Sequence, residues 1–358
     1  MKRWDFTPSP AATTSKAVTS RHDSSRRRPH PSTHEFAIHP ALGGERRTLH
    51  SRRADRICWY QDGPPPRRGA PPLLLIHGIS AASSAYDMKP LYEHYRKTRC
   101  VYALELPGFG FSARIDRRYS PRLMTDAIHE VLEHIRQSFV HAPVDAMALS
   151  LSCEFLARAA TENSAAFRSL AFISPTGLDK PELREGRVGS TLEKRWLGDF
   201  ARRSSWRRPL YDLLTSRASV RFFLSRTFGS RHVDAGLIDY DVALGRQPGA
   251  EFAPMSFLAG SLFSGDSGRM YRGLKRPVWL VHGTRGAFSR FPGVRCLSDR
   301  SNWTIDALPC GAMPQFELLE EMVQRYDAWL KGLCQTSFPH VELARASPGA
   351  SLARTDAA

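Results

Sequence analysis

The feature that most limits the fold is a series of short, unbroken apolar runs, each ending in a turn and separated from the next by a stretch with helical character. Leu73-Leu74-Leu75-Ile76 leads into His77-Gly78, Cys100-Val101-Tyr102-Ala103-Leu104 into Glu105-Leu106-Pro107-Gly108, and Val144-Asp145-Ala146-Met147-Ala148-Leu149 into Ser150. A strand wetted on one face alternates apolar and polar residues, whereas a continuous run belongs to a strand covered on both. Shorter runs at 57–60, 170–173, 278–281 and 303–305, with helical stretches around 86–97 and 121–138, extend the pattern. Such alternation predicts an α/β fold, a mostly parallel sheet flanked by helices.

About a hundred residues between Ser174 and Val278 carry no clear strand. They read as helical, with Trp196, Trp206, Tyr211, Phe222 and Phe223 interleaved with Arg207, Arg208, Arg217 and Arg221. An insertion at the C-terminal edge of a parallel sheet lies over the ligand crevice, so this one is expected to be a helical cap. A basic amphipathic surface of this kind is also suited to lying on a membrane. The expected organisation is a disordered basic extension over 1–45, a first core segment over 46–175, the cap over 176–272, a second core segment over 273–332 and a flexible tail over 333–358. In the last core segment Phe316, Leu319, Met322, Val323, Tyr326, Trp329 and Leu330 recur at helical spacing and form one apolar face.

The formal net charge is +16, and residues 1–60 hold twelve Lys/Arg against five Asp/Glu. The stretch Ser24-Ser25-Arg26-Arg27-Arg28-Pro29 has too few large apolar side chains to offset the entropy of folding. It reads as a solvated extension, or as an arm for nucleic acid, anionic lipid or organelle targeting. No specific nucleic-acid motif accompanies it. No apolar run reaches the roughly 18 residues of a membrane span, and no apolar segment follows the basic N-terminus as in a secretory signal, so the cytoplasm is the default expectation. The six cysteines (Cys58, Cys100, Cys153, Cys296, Cys310, Cys334) are scattered without a C-x-x-C pair and read as reduced thiols. Glycine-rich dinucleotide and phosphate loops and metal-ligand clusters are absent from the sequence, so no cofactor and no metal is expected.

Three turns carry the chemistry. His77-Gly78-Ile79-Ser80 follows the first buried run, Glu105-Leu106-Pro107-Gly108-Phe109-Gly110-Phe111-Ser112 the second, and Ala148-Leu149-Ser150-Leu151-Ser152 ends the third. The last is similar to the strand-to-helix elbow usually spelled G-x-S-x-G, with Ala148 and Ser152 as small substitutes for the glycines. Together, in this order and spacing, the motifs resemble the α/β-hydrolase fold superfamily, serine-hydrolase type with a helical cap, over about residues 55–332. The resemblance implies that Ser150 is the nucleophile of a hydrolase acting on an ester-like bond in a small apolar substrate. It further implies that the backbone N–H groups of Ile79 and Leu151 form the oxyanion hole.

A serine hydroxyl needs a base, and the base commonly an orienting carboxylate. The family places its acid after a late strand and its histidine after the last one, and this sequence departs at both. The loop His282-Gly283-Thr284-Arg285-Gly286-Ala287 contains no carboxylate, and Ala287 or Gly286 stands where the acid is expected. In Gly311-Ala312-Met313-Pro314-Gln315-Phe316-Glu317, similar to G-H-x-P-x-x-E, Ala312 takes the histidine's place. Acid and base are therefore unassigned, with Asp179, His232 and His282 as candidate substitutes and His77 expected to be structural. Three readings remain open: a hydrolase with an unassigned base, a catalytically silent fold whose capped pocket binds a ligand or partner, and an anion-binding protein led by its basic arm.

Overall fold

The structure is a computed structural model, and it describes residues 38–64, 71–140, 142–202 and 204–336. The parts of the expected terminal extensions at 1–37 and 337–358 lie outside the described residues.

Eight strands form one sheet in the order β1-β2-β4-β3-β5-β6-β7-β8. They are β1 (Glu45–Ser51), β2 (Asp55–Asp62), β3 (Leu73–Ile76), β4 (Val101–Glu105), β5 (Val144–Leu149), β6 (Phe167–Ile173), β7 (Val278–Gly283) and β8 (Trp303–Leu308). The pairs β1–β2 and β2–β4 are antiparallel and the rest parallel. β3, β4 and β5 are buried at every residue, as their unbroken apolar runs require. Residues 45–51 were not expected to form a strand. Glu-Arg-Arg-Thr-Leu-His-Ser lacks an apolar run because β1 is the sheet's edge, largely exposed, where charged side chains also deter pairing with other chains.

Successive strand residues point to opposite faces, so each face builds its own core. On one, Ile76, Ala148 and Phe172 pack under α2 (Pro121–Ser138) and α3 (Ser152–Glu162). On the other, Leu75, Met147 and Ile173 pack with Tyr92 of α1 (Lys89–Tyr95) and Tyr326 of α12 (Leu319–Thr336). α2 starts where the sequence provides a cap: the Ser120 hydroxyl accepts the Leu123 N–H at 3.3 Å, and Pro121 opens the helix. Asp145, the one acid inside the β5 run, is buried against Arg168 (2.6 Å) and the Ser169 hydroxyl (2.6 Å), with Arg99 beside it.

Between β6 and β7 come α4 (Arg195–Arg202), α5 (Ser204–Leu214), α6 (Arg217–Phe228), α7 (Ala235–Gly245), α8 (Phe252–Leu258) and α9 (Ser267–Gly273). Among the described residues of this stretch the only β contact is a single bridge, Thr191 to Ser264. α9 lies in the main core through Met270 and Tyr271. Ala41 and Leu42 are buried with the α1/α12 core, so packing begins ahead of residue 46. The short helices α10 (Arg295–Ser298) and α11 (Pro314–Glu317) flank β8.

Candidate active site

Ser150 stands at the end of β5 with φ +56°. For a non-glycine residue such a conformation costs on the order of 1–3 kcal/mol and persists only where its surroundings enforce it. Here they do: the Ser150 N–H donates to Ile173 O at 2.8 Å, and its carbonyl accepts from Cys153 N (3.2 Å) and Thr176 N (3.4 Å). The neighbouring strand end repeats the device, with Ser174 at φ +45° and its N–H on Val281 O at 2.8 Å. Ser152 is buried and donates its hydroxyl to the His77 carbonyl at 2.6 Å, tying the start of α3 to the turn after β3.

His77, expected to be structural, is hydrogen-bonded at both ring nitrogens. Its Nε2 accepts the Leu106 N–H at 3.0 Å and its Nδ1 donates to Gly78 O at 2.5 Å, bracing the turns after β3 and β4 against each other. Burial lowers its pKa to about 4, so it stays neutral. The N–H groups of Ile79 and Leu151 donate to no other group among the described residues. Leu151 opens α3, where the helix dipole favours negative charge.

The insertion sits on the loops at this edge of the sheet. The Tyr211 hydroxyl of α5 donates to Ala81 O at 2.8 Å, and the Tyr240 ring of α7 stacks on Tyr86 at 4.9 Å. The last turn of α6 reaches the loops after β7 and β8: Arg226 O accepts the Ala287 N–H and Thr227 O the Ala312 N–H, both at 2.9 Å.

The sequence matches the model of a family described as the alpha/beta hydrolase family over residues 73–345. The chain belongs to that family. Solved structures agree on the fold. A serine hydrolase involved in carbazole degradation is 14% identical and superposes with a TM-score of 0.61, covering 81% of this chain and 99% of its own. A protein from Pseudomonas aeruginosa described as a probable hydrolytic enzyme is 17% identical, with a TM-score of 0.62 over 83% and 96% of the two chains. A thermophilic esterase from Thermogutta terrifontis is 16% identical, with a TM-score of 0.60 over 81% and 99%. No curated protein matches the chain in sequence.

The three substitutes considered for the acid and base, His282, His232 and Asp179, have surroundings of their own. His282 lies with Nδ1 3.0 Å from Gly283 O and its ring 4.7 Å from that of Phe291. His232 is exposed, and Asp179 is exposed beside Arg184 at 3.5 Å. None of them hydrogen-bonds to Ser150 among the described residues. Gln315 is buried and donates from Nε2 to the Asp87 carbonyl at 3.0 Å. Glu317 accepts the Gly311 N–H at 2.6 Å and pairs with Arg285, so the loop keeps its shape with alanine in the histidine's place.

Four buried carboxyl groups near the C-terminal edge of the sheet could not be read from the sequence. Asp87 accepts the Gly78 N–H at 3.2 Å, and burial pushes its pKa up to about 7. Asp241 on α7 is raised well above the carboxylate range by burial and then by the charge of Asp87. Two such carboxyl groups cannot both ionise cheaply, so the pair retains a proton. Glu105, raised by burial to about 7, receives the Phe111 N–H, and a Cβ on Gly110 would fall 2.0 Å from its carboxyl carbon. That contact is the one readable signal, since it explains the second glycine of Gly108-Phe109-Gly110. Glu154, raised by burial despite Arg184 at 3.0 Å, binds the Ser264 N–H at 2.7 Å.

Among the described residues no cluster of His, Cys, Asp and Glu is arranged to hold a metal ion. A cavity of 340 Å³ lined by Arg118, Arg122, Arg158, Ser190 and Thr191 includes neither Ser150 nor the two N–H groups. Its arginines are already paired with Glu193, Glu162 and Asp266, which leaves little positive charge for an anion.

Proposed function

We propose that this member of the alpha/beta hydrolase family engages ester-like bonds of a small apolar substrate under the α4–α8 cap, with Ser150 as nucleophile and the Ile79 and Leu151 N–H groups as its oxyanion hole. The observation that carries the reading is the elbow: a strained serine held in place by its backbone bonds, with the Ile79 and Leu151 N–H groups bonded to nothing else among the described residues. Attack by Ser150 Oγ on an ester carbonyl would place negative charge on the former carbonyl oxygen, and preorganised N–H donors stabilise that charge. The relatives named above include a serine hydrolase and an esterase, in keeping with this chemistry.

Turnover is proposed to be slow. Ala312 and Ala287 supply neither base nor acid, and an oxyanion hole with binding alone gives roughly 10³- to 10⁴-fold over water. A second reading has its own support. The Arg226 and Thr227 carbonyls of α6 hold the loops carrying Ala287 and Ala312 against the insertion, as suits a fold that binds a ligand or partner without hydrolysing it.

A fluorophosphonate probe separates the two, with mass spectrometry of the modified peptide and Ser150→Ala as control. Labelling at Ser150, absent in the variant, supports the nucleophile. A folded protein that stays unlabelled would sink it in favour of the binding reading.

A further inference from the structure

α6 is apolar on two faces. Val220, Leu224 and Phe228 recur every four residues and are drawn inward, Val220 and Leu224 packing with Ile238 and Val242 of α7. The opposite face shows Phe222 and Phe223, 56% and 50% exposed, edge-on to each other. A helix that needed only to cover the core would carry polar residues there.

That outer face continues onto the loop after β7. The bond from Ala287 N–H to Arg226 O joins the two, and the loop adds Phe288, 60% exposed. α6 carries three arginines and no acidic residue. Arg217 is paired with Asp239, but Arg221 and Arg226 on the helix and Arg290 on the loop have no carboxylate partner among the described residues. The Arg226 guanidinium lies 6.0 Å from the Phe222 ring. Exposed aromatics with unpaired arginines around them, on a chain of net charge +16, complement a surface that is apolar just beneath a layer of negative charge.

We propose that the outer face of α6 and the adjoining loop 285–290 dock on an anionic lipid bilayer, with Phe222, Phe223 and Phe288 entering the headgroup boundary and Arg221, Arg226 and Arg290 meeting lipid phosphates and carboxylates. Nucleic acid would satisfy the arginines, but it gives no account of exposed aromatics on both the helix and the loop bonded to it. The docking surface does not depend on Ser150 being reactive.

The test is co-sedimentation of the full chain with phosphatidylcholine vesicles, with and without phosphatidylserine, over a series of salt concentrations. Binding is expected only with phosphatidylserine and is expected to weaken as salt rises. Arg221→Gln with Arg226→Gln should reduce partitioning by about 25-fold, from roughly fivefold per surface arginine. Phe222→Ser with Phe223→Ser should reduce it at unchanged salt dependence, and because all four side chains are exposed the melting temperature should stay put. Equal binding by wild type and both variants would overturn the proposal, locating any lipid affinity elsewhere in the chain. So would duplex DNA binding that is lost in the arginine variant while vesicle binding is kept.

Discussion

At position 152 a serine stands where the elbow commonly has glycine, and its hydroxyl bonds the His77 carbonyl. Small size admits the residue and the hydrogen bond gives it work, which is why Ala148-Leu149-Ser150-Leu151-Ser152 still folds into the turn. The turn was legible because it is local: strand, small residues and helix lie within a few positions. The lack of a carboxylate over 282–290 and of a histidine over 309–317 was legible for the same reason. If the geometry persists around them, Ala312→His combined with Ala287→Asp should raise ester hydrolysis by roughly 10²-fold or more, the usual contribution of a positioned general base. The backbone bonds from Thr227 and Arg226 survive both changes, since they use only N–H and C=O groups. An unchanged rate in a folded double variant would mean that α6 blocks the histidine from Ser150. Asp87 and Asp241 were not legible, because each is an ordinary polar residue until the fold stacks α7 on the turn that holds Asp87.

Among the elements, β3, β5 and α2 could be read nearly to the residue, since continuous burial or a Ser-Pro cap writes itself into the sequence. β1 and α9 could not: one is an exposed edge strand, and the other looks like the insertion helices before it, although its Met270 and Tyr271 lie in the core. The element that most shapes the site is the end of α6. Gly229 caps that helix at φ +59°, and a Cβ there would fall 2.6 Å from the Gly286 backbone. Gly229→Ala should therefore destabilise the protein by about 1–3 kcal/mol, through left-handed strain and the forced parting of α6 from loop 285–290. Thermal unfolding measures it, and faster proteolysis in that loop should accompany the drop. A melting temperature equal to wild type would show that α6 is not seated on the loop.

Across the whole molecule, five buried acids are shifted in two directions according to which end of the sheet they occupy, and this gives folding a pH dependence of two opposite signs. At the C-terminal edge, burial raises Asp87, Glu105, Glu154 and Asp241. At the start of β5, burial alone would raise Asp145, but hydrogen bonds from Arg168 and the charges of Arg99 and Arg168 outweigh it and hold it below the usual range. A raised carboxyl binds more protons folded than unfolded between the ordinary carboxyl pKa and its own, so stability falls as pH climbs from about 4 to about 7. Asp145 acts the other way: its contribution is present above about pH 4 and is lost as pH falls below that. Asp87→Asn with Asp241→Asn removes two of the groups that resist ionisation, and the amide can still accept the Gly78 N–H. Urea unfolding at about pH 5 and about pH 8 should show the variant gaining on wild type at the higher pH by more than at the lower. Asp145→Asn should lose stability at about pH 7 and far less at about pH 3. Parallel curves for the first variant would mean that Asp87 and Asp241 ionise freely in the folded protein, and that α7 does not hold them away from water.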